Sequence, residues 1–198
     1  LALSFTGAYL LGDNERWLDV HVLLGYTVLG LLAFRVVWGL VGTRHARFAS
    51  FVHSPSAAIR YFRDELTGRG RRHLGHNPAG SWAVYGLLLL GVATGATGIL
   101  TFYTGEAFEE VHEVCANAWL ALVLLHILGV IFSSLVQREN LARAMVTGYR
   151  RGTPDSGDVR PLVGVGVTLA AAIVGFLAWN LASNVPIAGD VTARLGNA

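Results

Sequence analysis

Three histidines and one arginine lie within or at the ends of long apolar stretches of this 198-residue chain. His112 and His126 are fourteen residues apart in one stretch, and His21 and Arg35 have the same spacing in another. In an α-helix, fourteen residues rise about 21 Å and return to within about 40° of the same face. Because an ionisable group in a lipid-spanning helix is costly and usually faces the bundle interior, this pattern indicates chemistry at two depths of a membrane.

The composition indicates which elements would position these side chains. Hydrophobic residues make up 53% of the chain, charged residues only 14%, and the mean hydropathy is +0.50. A span needs about twenty mostly apolar residues, and four stretches qualify: 18–41, 81–102, 111–136 and 162–182. The apolar stretch 1–11 is too short, and we interpret it as the outer half of an N-terminal span. The predicted fold is an all-α integral membrane helical bundle, one domain over 1–198, with four full transmembrane helices plus that half of a fifth.

Arginine, the only basic residue besides histidine, sets the expected orientation. Segment 42–80 has seven arginines against two acidic residues, and segment 136–160 has five against three. Since positive loops stay cytoplasmic, we expect both segments inside a bacterial cytoplasmic membrane, and 12–17 and 103–110 in the periplasm. The pI near 9.0 then reflects topology, and no nucleic-acid partner is expected.

The cytoplasmic segments carry two further signals. Ser54-Pro55 is a typical N-cap and first helical residue, and the amphipathic pattern after it predicts a short helix in the membrane interface. The basic stretch Arg138–Arg151 is predicted to continue the span before it into the headgroup region.

Depth matching gives the histidines their predicted roles. The helix beginning near His21 runs inward, and His112 lies at the outer start of the next inward helix, so the two imidazoles are level and can ligate one haem iron from opposite sides. His126 and Arg35 lie about 21 Å deeper. We expect His126 to ligate a second haem, while Arg35 pairs with a propionate or lines a quinone pocket. The predicted metal ligands are therefore His21, His112 and His126.

Glycines near these histidines would leave room for a flat macrocycle. Gly25 follows His21 by one turn, and Gly129 follows His126 by three residues. The alternative is that these glycines serve helix packing alone, as the small-residue spacing of Gly91, Gly95 and Gly98 suggests for its own helix.

Other readings of the polar residues stay open. An intramembrane histidine can also be a hydrogen-bonded packing residue or part of a proton relay. The remaining histidines lie in the basic loop and are expected to be solvated or lipid-facing: His45, His53, His73 and His76. Glu106, Glu109, Glu110 and Glu113 form either an exposed acidic loop or a docking patch for a basic electron carrier. The single cysteine, Cys115, excludes an internal disulfide and any site built on several cysteines.

Several segments resemble the bacterial cytochrome b561 / nickel–iron hydrogenase b-type cytochrome family. They are Leu18–Tyr26, Ala33–Gly39, Gly42–Phe48, Glu110–Glu113 with His126 beyond it, and Arg138–Leu141 with Ala144-Met145. The resemblance implies a helical bundle with two b haems that carries electrons between quinone and a partner at the outer surface. It implies that His21 and His112 hold the outer haem and His126 one side of the inner haem. The family's remaining ligand belongs to the inner end of the first helix, which we expect to be missing from this chain.

The resulting functional hypothesis is a di-haem b membrane cytochrome between the quinone pool and a redox partner. That partner would be a periplasmic cytochrome c or an oxidoreductase or hydrogenase subunit, and membrane lipid surrounds the spans. Arg44 and His45 are weak candidates for an inner quinone site. An electron-transfer subunit is favoured over a self-sufficient quinone-linked oxidoreductase, for example one passing superoxide electrons to quinone. The contrasting class is a haem-free membrane transporter or scaffold, which would show pH-linked transport and no visible spectrum.

Overall fold

The computed structural model describes residues 1–44, 46–67, 77–147 and 162–183. Within these ranges the regular structure is helical throughout, with no strand. Four helices are long and apolar enough to cross a membrane: α2 (Leu18–Val41), α4 (Pro78–Thr104), α5 (Glu109–Gln137) and α7 (Val163–Ser183). Three are shorter: α1 (Ala2–Leu11), α3 (Pro55–Leu66) and α6 (Leu141–Thr147). The predicted all-α membrane bundle, with four spanning helices and a shorter apolar N-terminal helix, is confirmed.

Side-chain caps determine where two of these helices begin. Ser54 accepts a hydrogen bond from the backbone N–H of Ala57, and Pro55 occupies the first helical position of α3. Asn77 does the same for α4, where its Oδ1 accepts from the N–H of Gly80 at 2.6 Å. Both caps satisfy backbone donors that a helix start leaves without an intrahelical partner.

The end of α5 corrects one prediction. The stretch after the span does not continue the helix, because Arg138 has a φ of 51° and α5 ends at Gln137. Asn140 then caps a separate helix, α6, by accepting from the N–H of Arg143 at 2.8 Å. A strong N-cap residue so close to the end of the span favours a new start over continuation. Residues 148–151 lie outside the described ranges.

Hydroxyl groups within the spans are satisfied by the helices themselves. Thr27 Oγ1 donates to the carbonyl of Leu23 at 2.9 Å, and Thr97 Oγ1 donates to the carbonyl of Ala93 at 2.8 Å. This bonding to the preceding turn lets a polar side chain remain in an apolar medium without losing a hydrogen bond.

The chain forms two compact units, and α2, α4 and α5 contribute to both. Unit 1 contains Leu1–Phe34, Gly91–Asn117 and Leu162–Ala198, and unit 2 contains Arg35–Leu90 and Ala118–Pro161. Unit 1 therefore holds His21 and His112, while unit 2 holds Arg35 and His126. Each unit is described by itself below.

Candidate functional site

In unit 1, the structure brings His21 of α2 and His112 of α5 together. Their ring centroids are 6.1 Å apart, and the ring planes make an angle of 88°. Both side chains are half-buried. Ninety-one residues separate the two in sequence, so the pairing depends on the packing of α2 against α5.

Backbone carbonyls fix the tautomer of both rings. His21 Nδ1 lies 2.8 Å from the carbonyl oxygen of Ala8 in α1, and His112 Nδ1 lies 2.9 Å from that of Thr94 in α4. A carbonyl oxygen only accepts, so each Nδ1 carries the hydrogen and donates it. Each Nε2 then keeps its lone pair, and neither makes a hydrogen bond with the described residues. Metal-ligating histidines are oriented in the same way.

Two glycines shape the space around this pair. A Cβ at Gly98 would lie 2.9 Å from Cε1 of His112, so this glycine of α4 leaves room for the imidazole. A Cβ at Gly25, one turn after His21, would meet no atom within 4 Å although the residue is half-buried. Open space therefore adjoins the His21 face of α2, as a flat ligand requires.

In unit 2, His126 is half-buried in α5 and makes no hydrogen bond with the described residues. A Cβ at Gly129 would meet nothing within 4 Å. His126 thus has a free imidazole beside open helix surface. A second histidine pairing with it is not found among the described residues of this unit.

Arg35 contacts the segment that follows its own helix. Its Nη1 donates to the carbonyl of Ala46 at 3.4 Å, and its guanidinium carbon lies 5.1 Å from the centre of the Phe48 ring. A carbonyl and an aromatic face stabilise the cation without neutralising it. The guanidinium therefore keeps donors and charge for an anionic group, and the predicted propionate or quinone role stays a prediction.

The other predicted residues divide into three cases. Arg44 is exposed in the segment that follows α2, and His45, His73 and His76 lie outside the described residues. The prediction that His53 is solvated or lipid-facing is wrong. The side chain is half-buried, with Nδ1 3.0 Å from both the Phe51 carbonyl and Ser81 Oγ.

Sequence reasoning missed the groups that orient the histidines. The acceptors are the main-chain carbonyls of Ala8 and Thr94, and every residue has such a carbonyl, so no sequence signal marks them. Gly98 had a signal in its small-residue spacing, which we attributed to helix packing. A Cβ at Gly95 would clash with Leu29 of α2, as close helix packing predicts. A Cβ at Gly98 would instead crowd the His112 ring.

In the described ranges, no three histidine, cysteine or acidic residues lie close enough to hold a metal ion by themselves. A pair of imidazoles suits a metal whose other ligands come from a macrocycle. The helices and the histidine pair thus define a class, a multi-pass membrane protein with two histidine rings close together within its helices.

Comparison with known families agrees. The family model described as prokaryotic cytochrome b561 matches residues 1–148, which include all the helices from α1 to α6. The chain belongs to the prokaryotic cytochrome b561 family. It is a multi-pass bacterial membrane protein and a b-type cytochrome of electron transfer, with haem b as its prosthetic group. No curated protein and no solved structure is significantly similar to the chain. The α7 helix lies beyond the matched residues.

Proposed function

We propose that this cytochrome carries electrons across the bacterial cytoplasmic membrane through two b haems. His21 and His112 would hold the outer haem. The observation that carries this proposal is the 6.1 Å separation of their ring centroids. For two imidazoles that bind one metal ion from opposite sides, the ring centres are separated by two metal–nitrogen bonds of about 2.0–2.1 Å and by about 1.1 Å within each ring. The expected separation of the ring centres is therefore about 6.3 Å.

The residues around the pair fit the group. Both Nε2 atoms keep a lone pair for iron, and the open space at Gly25 would accommodate the macrocycle. His126 would hold the second haem from one side, with Gly129 leaving the adjacent surface open. Its partner ligand is not assigned. The two-haem count is supported by the fourteen-residue spacing on α5 and by the resemblance to the family.

The chain's own residues determine how such a site works. Haem b supplies one-electron redox chemistry when bound. The carbonyls of Ala8 and Thr94 hold the imidazoles in one tautomer and raise their basicity. The charge of Arg35 in unit 2 would pair with a propionate or with a quinone headgroup, since its contacts with the Ala46 carbonyl and the Phe48 ring do not neutralise it.

The proposed electron path joins the quinone pool to a redox partner on the periplasmic side. The basic segments 42–80 and 136–160 support the orientation with those segments inside. The acidic residues Glu109, Glu110 and Glu113 at the start of α5 are exposed and would face the partner. This charge favours a basic carrier such as a cytochrome c.

A visible spectrum with haem-to-protein stoichiometry tests the proposal. The purified protein should show the reduced-minus-oxidised bands of b-type haem, with two haems per chain. The variant His112→Ala should lose the outer haem. The control His53→Ala removes a half-buried histidine of unit 2 and should leave the outer haem in place. A membrane-inserted chain that binds no haem would refute the proposal.

A further inference from the structure

The α3 helix of unit 2 carries large apolar side chains on an exposed face. Ile59, Phe62 and Leu66 are 71%, 57% and 58% exposed. Their spacing of three and four residues puts them on one face of the helix, and we call this face the α3 strip. Contiguous exposed apolar surface of this kind marks a place where lipid or another molecule binds. The α3 strip is therefore a candidate interaction surface.

Hydrogen bonds from another face of α3 fix the helix to the ends of two spans. Gln137, the last residue of α5, donates from Nε2 to Tyr61 Oη at 3.2 Å and to Glu65 Oε1 at 3.1 Å. Asn77, which caps α4, donates from Nδ2 to Tyr61 Oη at 3.2 Å. Because α4 begins and α5 ends beside α3, this helix lies at the level where these two spans reach the membrane surface.

The spans themselves show side chains typical of lipid contact close to this level. Leu135, two residues before the end of α5, is exposed, and so is Trp82 near the start of α4. The indole N–H of Trp82 donates to the carbonyl of His53, just before α3, at 3.1 Å. Tryptophan is enriched where membrane meets water, because its ring is apolar and its N–H is polar. The lipid-facing surface of these two spans therefore extends to the level of α3.

Two arginines lie along one side of the α3 strip. Arg60 and Arg63 are exposed, and each follows a strip residue directly in sequence. A long arginine side chain can lay its aliphatic part on apolar surface while its charged end stays in the headgroup layer. The planar guanidinium matches a phosphate group with two parallel hydrogen bonds. This combination favours a surface that offers both acyl chains and anionic phosphates.

We propose that the α3 strip, together with Arg60 and Arg63, is a binding surface for anionic phospholipids. The three apolar side chains enter the acyl layer, and the two guanidinium groups bind headgroup phosphates. The bound lipid holds α3 against the ends of α4 and α5. A basic residue near an anionic surface strengthens attachment by about 5-fold, so two would contribute roughly 25-fold. This surface goes beyond the proposed electron path and does not depend on a bound haem.

Spin labelling of the full chain in bilayers tests the apolar part of the proposal. The bilayers contain equal parts of phosphatidylcholine and phosphatidylglycerol. Labels at Phe62→Cys and at Asp64→Cys, each combined with Cys115→Ser, compare the α3 strip with a polar exposed position of the same helix. The label at position 62 should collide mainly with oxygen, which dissolves in lipid. The label at position 64 should collide mainly with a water-soluble nickel chelate.

Two results of this experiment would overturn the proposal. Collision of the label at position 62 mainly with the chelate would place the α3 strip in water. A label there that neither reagent reaches would be covered by protein, either a second copy of the chain or another partner. Both labelled positions are exposed, so the substitutions leave the packed side of α3 intact.

Hydrogen exchange in α3 tests the charged part. In wild type, α3 should exchange more slowly, by up to roughly 25-fold, in the mixed bilayer than in phosphatidylcholine alone. Arg60→Gln combined with Arg63→Gln should abolish this difference, and glutamine keeps the helix propensity. The matched control, Arg44→Gln with Arg47→Gln, removes two other exposed arginines of unit 2 and should keep the difference.

Equal exchange of α3 in the two bilayers would overturn the selectivity for anionic lipid. A difference that persists without Arg60 and Arg63, or that the control pair also abolishes, would show that these two residues are not the binding groups. Neither experiment requires haem, so a chain that fails to carry electrons would still give the expected results for α3.

Discussion

Filling the open space at Gly25 gives the sharpest test of where the outer haem lies. Gly25 and Gly30 both belong to α2, and a Cβ at either position would meet no atom within 4 Å. Gly25 is half-buried and lies one turn after His21, whereas Gly30 is exposed. The two positions therefore offer a matched pair on one helix, and only the first adjoins the histidine pair.

Gly25→Leu is expected to stabilise the haem-free chain and to weaken its binding of haem. Replacing a helical glycine by a better helix former stabilises the helix by up to about 1 kcal/mol. Gly25→Leu and Gly30→Leu should therefore both raise the free energy of unfolding of the haem-free chain slightly. With haem bound, the leucine at position 25 would overpack the site. A cost of about 1–3 kcal/mol corresponds to haem binding weaker by about 5- to 150-fold.

Haem titration of the haem-free chain in detergent measures this difference, and thermal unfolding gives the accompanying change in stability. Gly30→Leu should bind the outer haem as wild type does. If Gly25→Leu binds haem with wild-type affinity, the macrocycle does not lie against that face of α2. If both variants lose haem equally, the effect is a general disturbance of α2 and the reasoning is refuted.

Two further predictions concern Gly98 and Tyr61. Gly98→Val should weaken outer-haem binding by about 10- to 100-fold, because its Cβ would displace the His112 ring from the Thr94 carbonyl; unchanged haem affinity in a titration would contradict this. The pKa of Tyr61, raised to about 12 by burial and by Glu65, lies above its ordinary value of 10.0. The stabilisation from the neutral phenol should be complete below pH 10 and lost as the pH rises towards 12. Ultraviolet titration should detect a tyrosine that ionises near pH 12 and disappears in Tyr61→Phe, and a titration curve unchanged by that variant would contradict the assignment.

The sequence was sufficient for the spans and for the pairing of two histidines. Hydropathy identifies the four long helices because each needs about twenty apolar residues to cross lipid. Because successive spans cross the membrane in alternating directions, the sequence predicts His21 and His112 at the same depth. The structure brings their rings together. These inferences depend on chain direction and helix geometry, which a sequence contains.

What the sequence could not provide depends on tertiary contacts. Glu65 appeared as one charge in a basic loop, and only the docking of α3 shows that it is buried. His53 likewise appeared to be a loop histidine until the Phe51 carbonyl and Ser81 were seen beside it. The break at Arg138 is different, because the sequence itself contains the N-cap residue Asn140, which marks a new helix start.

The angle between the two imidazoles has an electronic consequence. With both rings ligating one iron, planes 88° apart would direct their π orbitals along two perpendicular directions of the macrocycle. The two iron d orbitals of π symmetry would then be nearly equal in energy. Oxidised haem held by these two residues would then show strongly anisotropic magnetism, unlike haem held by parallel imidazoles. The carbonyls of Ala8 and Thr94, by fixing each ring, would therefore set the magnetic signature of the outer haem.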